Sequence, residues 1–269
     1  MNRHYIAAAQ TDIGLVKNVN QDSLTVKVAN TDYGEVALVV LCDGMGGLSQ
    51  GEVASAHVVL AFEEWFDTEC AALIEQGMQP EKIRKSWNQI ILQCNEQIVN
   101  YGRKLATNVG TTLTSMLFFQ NHYYIAHVGD CRVYELDRDG ECTQLTKDQT
   151  YVAREVMLGH MTKEQAKTDE RRNVLLQCIG VNQVVDPDFL YGEISDGATY
   201  LICSDGFRHE ITEQEIYTCC FTNVKTEPCD DCKAQIKVMN QQLAYLVELN
   251  KNRNERDNIS AILVTTWSK

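Results

Sequence analysis

Ala37-Leu38-Val39-Val40-Leu41-Cys42-Asp43-Gly44-Met45-Gly46-Gly47 decides the fold and points to the chemistry. An apolar, β-branched run of this length reads as a strand. It leaves into an acid followed by glycines. The pattern recurs: Tyr200-Leu201-Ile202-Cys203 leaves into Ser204-Asp205-Gly206, and Tyr124-Ile125-Ala126-His127-Val128 leaves into Gly129-Asp130. A fourth acid, in Asp257-Asn258, stands just before the apolar run 259–264. Three acids thus sit at strand exits and one at a strand entrance. In antiparallel neighbours the exit of one strand lies beside the entrance of the next, so the four carboxylates are expected to share one rim of a sheet. Unpaired carboxylates crowded on a rim repel unless protonated or neutralised by a cation. Hard divalent ions such as Mg²⁺ or Mn²⁺ favour such oxygen ligands. One Asp-Gly alone is an ordinary turn signal; the recurrence gives it meaning.

Register arithmetic adds a fifth acid. If Asn30-Thr31-Asp32-Tyr33-Gly34 is a turn pairing position 29 with 36, then 22 pairs with 43, and Asp22 stands beside Asp43. By the same logic a turn at Gln120-Asn121 pairs 119 with 122 and 111 with 130, which sets Thr111 beside Asp130. Gly44, Gly46 and Gly47 are expected to let the backbone turn sharply after Asp43 and approach a ligand closely, leaving the Gly44 carbonyl able to join a carboxylate on a metal.

Working outward, strands are expected at 5–12, 22–29 and 35–42. Helices follow, through Ala54, Val58, Ala61 and Trp65, and through Ile83, Trp87, Ile90, Cys94 and Ile98, the second opened by Pro80. Strands return at 112–119, 122–129, 131–137, 184–194 and 199–203, helices at 213–224 and 232–250, and a last strand at 259–266. Runs of strands and runs of helices without regular alternation argue for antiparallel sheets with helices packed outside. No linker divides the chain, so residues 1–269 read as a single domain.

The 269 residues carry 24 Lys+Arg against 37 Asp+Glu, a net charge of −13. That balance argues against nucleic acid as the main partner, because phosphate neutralisation needs clustered cations. With 44% hydrophobic and 23% charged residues, the composition is that of an ordinary globular protein. No apolar stretch reaches 18 residues, so no membrane span is expected. The first residues lack the pattern of a signal peptide, which gives a cytoplasmic expectation. The 11 cysteines are odd in number and fall mostly in apolar runs, as expected of reduced thiols.

Taken in order, Thr11-Asp12-Ile13-Gly14, Asn20-Gln21-Asp22, Asp43-Gly44-Met45-Gly46-Gly47, Gly110-Thr111-Thr112, Ala126-His127-Val128-Gly129-Asp130-Cys131-Arg132, Leu145-Thr146-Lys147-Asp148, Ser204-Asp205-Gly206 and Asp257-Asn258 resemble the bacterial, single-domain members of the metal-dependent protein phosphatase 2C family. The resemblance runs from about residue 6 to 264. It implies an α+β fold, a four-layer α-β-β-α sandwich of two antiparallel sheets flanked by helices. It also implies two Mn²⁺ or Mg²⁺ ions at one end, with a weaker third. Asp43 would bridge the two ions, the Gly44 carbonyl would bind one, and Asp205 and Asp257 would hold the other. Asp130 with Asp205 would hold the third, Asp22 would support metal-bound water, and Lys17 would take the place of the phosphate-binding arginine. The implied reaction is hydrolysis of phosphoserine and phosphothreonine in proteins by a metal-activated water, opposing a bacterial Ser/Thr kinase. A monomer is expected.

Departures from the family pattern are Lys17 for arginine, Gln21 for glutamate, Met45 for a histidine of many eukaryotic members, Cys131 for serine, Gln149 for histidine, and His209 where some members have an acid. Lysine lacks the bidentate fork of arginine, so phosphate is expected to be held more loosely. Residues 146–172 resemble a flap beside the active site. Its cations Arg154, Lys163, Lys167, Arg171 and Arg172 are candidates to contact phosphopeptide, and Arg172 is the substrate-binding choice. Two other readings remain open: a catalytically silent phosphoprotein-binding module, favoured by Lys17 and Gln21, and a zinc-organised domain on Cys219, Cys220, Cys229 and Cys232.

Overall fold

The computed structural model describes residues 3–46, 50–224 and 232–268. In chain order the elements are β1 (Arg3–Asp12), β2 (Asp22–Thr31), β3 (Gly34–Gly46), α1 (Gly51–Thr68), α2 (Cys70–Glu75), α3 (Pro80–Leu105), β4 (Val109–Thr111), β5 (Leu113–Phe119), β6 (His122–Val128), β7 (Arg132–Leu136), β8 (Cys142–Gln144), α4 (Tyr151–Met157), α5 (Lys163–Thr168), β9 (Asp188–Glu193), β10 (Thr199–Cys203), α6 (Asp205–Arg208), α7 (Glu213–Tyr217), a π-helical turn Thr218–Thr222, α8 (Cys232–Asn252) and β11 (Ile259–Ser268).

Two antiparallel sheets result. One runs β1-β11-β10-β7-β8; the other runs β2-β3-β5-β6-β9, with β4 paired to the far end of β3. Side-chain alternation along the strands explains why helices cover both outer faces. Leu38, Val40 and Cys42 of β3 pack with Phe62, Trp65, Trp87 and Ile91 from α1 and α3. Ala37, Val39 and Leu41 point the other way, into a core shared with Tyr200, Ile202, Ile262 and Val264 of the opposite sheet. On that sheet Leu201, Cys203, Ala261 and Leu263 turn outward onto Met239, Leu243 and Leu246 of α8. Three apolar layers therefore separate four layers of structure, the expected α-β-β-α sandwich.

The helices follow their sequence signals. Pro80 opens α3, where its missing N–H costs nothing, and Ala106 closes it in a left-handed conformation. Trp87 of α3 meets Trp65 of α1 edge-on at 5.4 Å, which locks the helix pair over the sheet. Ile91 rather than Ile90 takes the fully buried position.

Several expectations are corrected. The helix expected over 213–224 is a single turn of α-helix continuing as a π-helical turn. The strand expected over 184–194 shortens to Asp188–Glu193. β3 does not end at Cys42 but runs through Asp43 to Gly46, held by β4, which pairs Gly44 with Thr111. No sharp turn therefore falls at Gly44; the expected turn at Gly47 lies outside the described residues. The pairing of 119 with 122 holds, but the β5–β6 ladder stops at Leu113 opposite Val128. Thr111 instead bridges Gly44 and Ile179, so it does not stand in register with Asp130.

Candidate metal centre

The β2–β3 register places Asp22 directly opposite Asp43. Thr112 fixes Asp43 from the neighbouring strand: its hydroxyl accepts from the Asp43 N–H at 2.8 Å, and its own N–H donates to the Asp43 carbonyl at 2.8 Å. The Gly44 N–H donates to the Gln21 carbonyl at 3.1 Å. A Cβ on Gly44 would stand 2.3 Å from the Gly51 carbonyl oxygen and 2.5 Å from that of Gln21, so only glycine fits between these backbones.

The other sheet supplies Asp205 and Asp257. Asp205 starts α6 directly after β10, and a Cβ on Gly206 would stand 2.2 Å from the Asn258 carbonyl oxygen and 3.1 Å from the Asp257 Cβ. Asp205-Gly206 and Asp257-Asn258 are thus in backbone contact. Asn258 ties this edge to the first sheet. Its side-chain carbonyl accepts from the Gln21 N–H at 2.9 Å, and its amide donates to the carbonyls of Ile13 at 2.9 Å and Val19 at 3.2 Å.

The carboxylates feel one another. Burial pushes the Asp43 carboxyl well up, and the charges of Asp22, Asp205, Asp130 and Asp257 push it further. Burial likewise raises Asp22, with the charges of Asp205 and Asp257 adding to it. Burial raises Asp130 too, reinforced by Asp205 and opposed by Arg208. Both carboxylate oxygens of Asp22 and Oδ1 of Asp205 are buried without a hydrogen-bond partner. Orphaned carboxylate oxygens at the meeting of two sheets fit a hard cation.

Protein cations hold the rim as it stands. Lys17 Nζ lies 2.7 Å from Asp257 Oδ1. Burial works against the Lys17 charge, but Asp257, with Asp43 and Asp205 beyond it, outweighs burial and raises its pKa. His209 stands 3.6 Å from Asp205 Oδ2 and 3.5 Å from Glu255 Oε2, and Arg208 stands 3.9 Å from Asp130 Oδ2. With the acids turned to these partners, no three His, Cys, Asp or Glu side chains among the described residues form a finished ligand set. An ion at this rim would have to compete with Lys17 for Asp257 and with His209 for Asp205. The donor chemistry fits; that competition is the cost.

Asp22, Asp43, Gly44, Asp130, Asp205, Asp257 and Lys17 are therefore assembled at one end of the sandwich. Arg172 is exposed within the 146–172 segment, its backbone N–H bonded to the Asp169 carbonyl. Two other cations of this segment are already occupied. Arg171 pairs with Asp169 and stacks on Tyr151, and Arg154 pairs with Glu155 with its guanidinium also near that ring. Sequence reasoning missed Glu255 and Arg208 as parts of the site, because nothing in their local sequence marks them; Thr112 lies in the Gly110-Thr111-Thr112 motif, which does not by itself tell what it bonds. The thiols nearby are inert: burial drives Cys42 well up and Cys203 up to about 12, so neither is a thiolate at neutral pH. Cys219 and Cys220 are buried in the α8-side core, Cys232 is exposed, and Cys229 lies outside the described residues. Among the described residues nothing gathers them into a zinc site. Among these residues no helix is long and apolar enough to cross a membrane.

Fold and rim together define a two-sheet protein with a carboxylate-lined end suited to hard cations. The protein phosphatase 2C family model matches residues 16–248. The chain belongs to the protein phosphatase 2C family. It is 34% identical over 209 residues to the serine/threonine protein phosphatase PstP of Mycobacterium tuberculosis, a match covering 78% of this chain and 37% of that one. It is 33% identical over 213 residues to the serine/threonine phosphatase stp of Listeria innocua, covering 78% and 81%. The matched part of the chain thus spans little more than a third of the Mycobacterium relative. The solved catalytic domain of PstP in complex with two manganese ions superposes with a TM-score of 0.76 at 28% identity, covering 99% of this chain and all of that one.

Proposed function

We propose that this chain is a manganese-dependent protein serine/threonine phosphatase, acting on phosphorylated proteins as one catalytic domain. The observation that carries the reading is the convergence of Asp22, Asp43, Asp205 and Asp257, with orphaned carboxylate oxygens, at one end of a phosphatase 2C sandwich. Asp43, the Gly44 carbonyl, Asp205 and Asp257 are the residues to hold two ions, Mn²⁺ or Mg²⁺. Bound there, such ions supply an acidified water and positive charge for the phosphoryl oxygens.

The rest falls to the chain. Lys17 lies at the mouth of the site, half-exposed and kept protonated by the surrounding carboxylates, so it can bind a phosphoryl oxygen as a point charge. Asn258 holds the 13–21 loop that carries Lys17 against the sheet edge. Asp22, buried opposite Asp43, is placed to orient water and hold its proton. Arg172, on the flap, is the proposed contact to the substrate chain beyond the phosphate. The partners are phosphoproteins, among them a cognate Ser/Thr kinase and its targets, in a cytoplasmic, monomeric setting. The full set of core carboxylates weighs against a silent binding module.

Phosphate release from a phosphothreonine peptide tests this. Turnover is expected with Mn²⁺, none after chelation, and a loss of at least about 10²-fold in Asp43→Asn and Asp205→Asn. Near-wild-type turnover in both variants would overturn the assignment; folded protein inert under every divalent metal would favour the silent module.

A further inference from the structure

Arg208 is a buried cation that the phosphatase reading leaves without a task. It ends the four-residue helix begun by Asp205, and its side chain is 12% exposed. Its Nη2 donates to the Asp130 backbone carbonyl at 3.2 Å and stands 3.9 Å from Asp130 Oδ2 and 3.5 Å from Asp148 Oδ2. Asp148 is also gripped in two-pronged fashion by Arg132, at 2.8 and 2.7 Å. A guanidinium therefore fills the gap between the two acids on the flap side of the rim, tethered by a main-chain carbonyl. Asp205 is near enough for its charge to act on the same guanidinium.

An ion held by the Asp130 carboxylate would have to compete with this guanidinium. A divalent ion needs carboxylate oxygens at about 2.0–2.6 Å and room for further oxygen ligands. Here a fixed positive charge that cannot ligate a metal, and repels one, stands 3.9 Å from Asp130 Oδ2. Arginine keeps its charge at every working pH, so the neutralisation is permanent and independent of free metal.

We infer that Arg208 replaces a third metal ion: the chain supplies its own cation between Asp130 and Asp148, and Asp130 seats Arg208 rather than ligating metal. The inference rests on the two-ion reading above. It narrows the metal requirement to the ions held around Asp43, and it makes the flap side of the site insensitive to metal supply.

Equilibrium dialysis of the whole chain against Mn²⁺, with bound metal counted by atomic emission, tests it. Two ions per wild-type chain are expected at saturation. Arg208→Ala should bind three, the added ion at least about tenfold more weakly, since Asp130 then loses the cation that offsets it while Asp148 stays held by Arg132. Asp130→Asn should stay at two, with unchanged affinity. Three ions on the wild-type chain would overturn the inference and leave the two-ion reading intact; fewer than two would remove the reading itself. A folded Arg208→Ala still binding two would also overturn it. If Arg208→Ala does not fold, Asp130→Asn decides: loss of an ion, or tenfold weaker binding of one, identifies Asp130 as a ligand and ends the proposal.

Discussion

Asp22 and Asp43 stand directly opposite each other at the end of the β2–β3 ladder, and neither oxygen of Asp22 has a hydrogen-bond partner. Two carboxyls buried in register cost stability whether they repel as charges or are held protonated by burial. A fold that keeps such a pair is expected to be more stable without it. Asp43→Asn should raise the melting temperature of metal-stripped protein by about 2–4 °C, roughly the shift expected for 1 kcal/mol in a domain of this size. Phosphopeptide turnover should fall by at least about 10²-fold in the same variant. Calorimetry of chelated protein beside a phosphate-release assay checks both; a lower melting temperature would mean that Asp43 is structural.

Metal should act as a stabilising ligand. An ion bound only by the folded state adds about 2.7 kcal/mol at a concentration 100 times its dissociation constant. At about 2–4 °C per kcal/mol, saturating Mn²⁺ should raise the melting temperature of the stripped protein by roughly 5–10 °C. Asp205→Asn and Asp257→Asn should lose most of that rise. An equal rise in both variants would place the ions elsewhere.

Lys17 is expected to contribute to phosphate binding through one charge-assisted hydrogen bond, worth about 1.5–3 kcal/mol. Lys17→Ala should therefore lower kcat/KM by about 10–100-fold. Lys17→Arg should retain or improve it, because the guanidinium adds a second donor. Steady-state kinetics on one phosphopeptide tests the order Arg ≥ Lys ≫ Ala. An alanine variant equal to wild type would confine Lys17 to its ion pair with Asp257.

A pH effect follows from His127, which is fully buried in β6. Its ring lies 2.9 Å from the Thr114 hydroxyl and 3.1 Å from the Lys147 carbonyl, tying the backbone at Lys147 to the sheet. The carbonyl can only accept, so Nε2 carries the proton and Nδ1 accepts from Thr114. Burial lowers the pKa of His127 below its ordinary 6.5, against the opposing pull of the Lys147 carbonyl, Asp148 and Asp188. The unfolded chain then takes up this proton before the folded one. Stability from this residue is complete above about pH 6.5 and is lost as pH falls toward the folded-state value. His127→Gln should melt lower at pH 7 but lose less between pH 7 and 5 than wild type. Parallel melting curves across that range would contradict the assignment.

Much of this site is legible in the sequence because it is built by register. Asp22 opposite Asp43 follows from one turn and a two-residue alternation, and β2–β3 contains no bulge to shift it. The same arithmetic fails at Thr111: the chain keeps its register on β3, but its other edge leaves β6 and bridges to Ile179. A strand that changes partners gives no local sign of doing so. The continuation of β3 through Asp43-Gly44-Met45-Gly46 is hidden for a related reason: glycines signal a turn, yet here they permit close approach of Gly44 to Gln21 and Gly51. Arg208 and Glu255 could not be placed from sequence because their partners, Asp130, Asp148 and His209, come from other elements. The paired apolar layers were visible as uninterrupted runs in β3, β10 and β11, since strands covered on both faces do not alternate in hydropathy.

The central claim is that carboxylates from both sheets close on a shared pair of cations. Anomalous-difference maps from crystals soaked in Mn²⁺ test it most directly. The account predicts two peaks bounded by Asp43, the Gly44 carbonyl, Asp205 and Asp257, with Asp257 released from Lys17. Peaks away from these side chains, or an Asp257–Lys17 pair unchanged in manganese-soaked crystals, would contradict it.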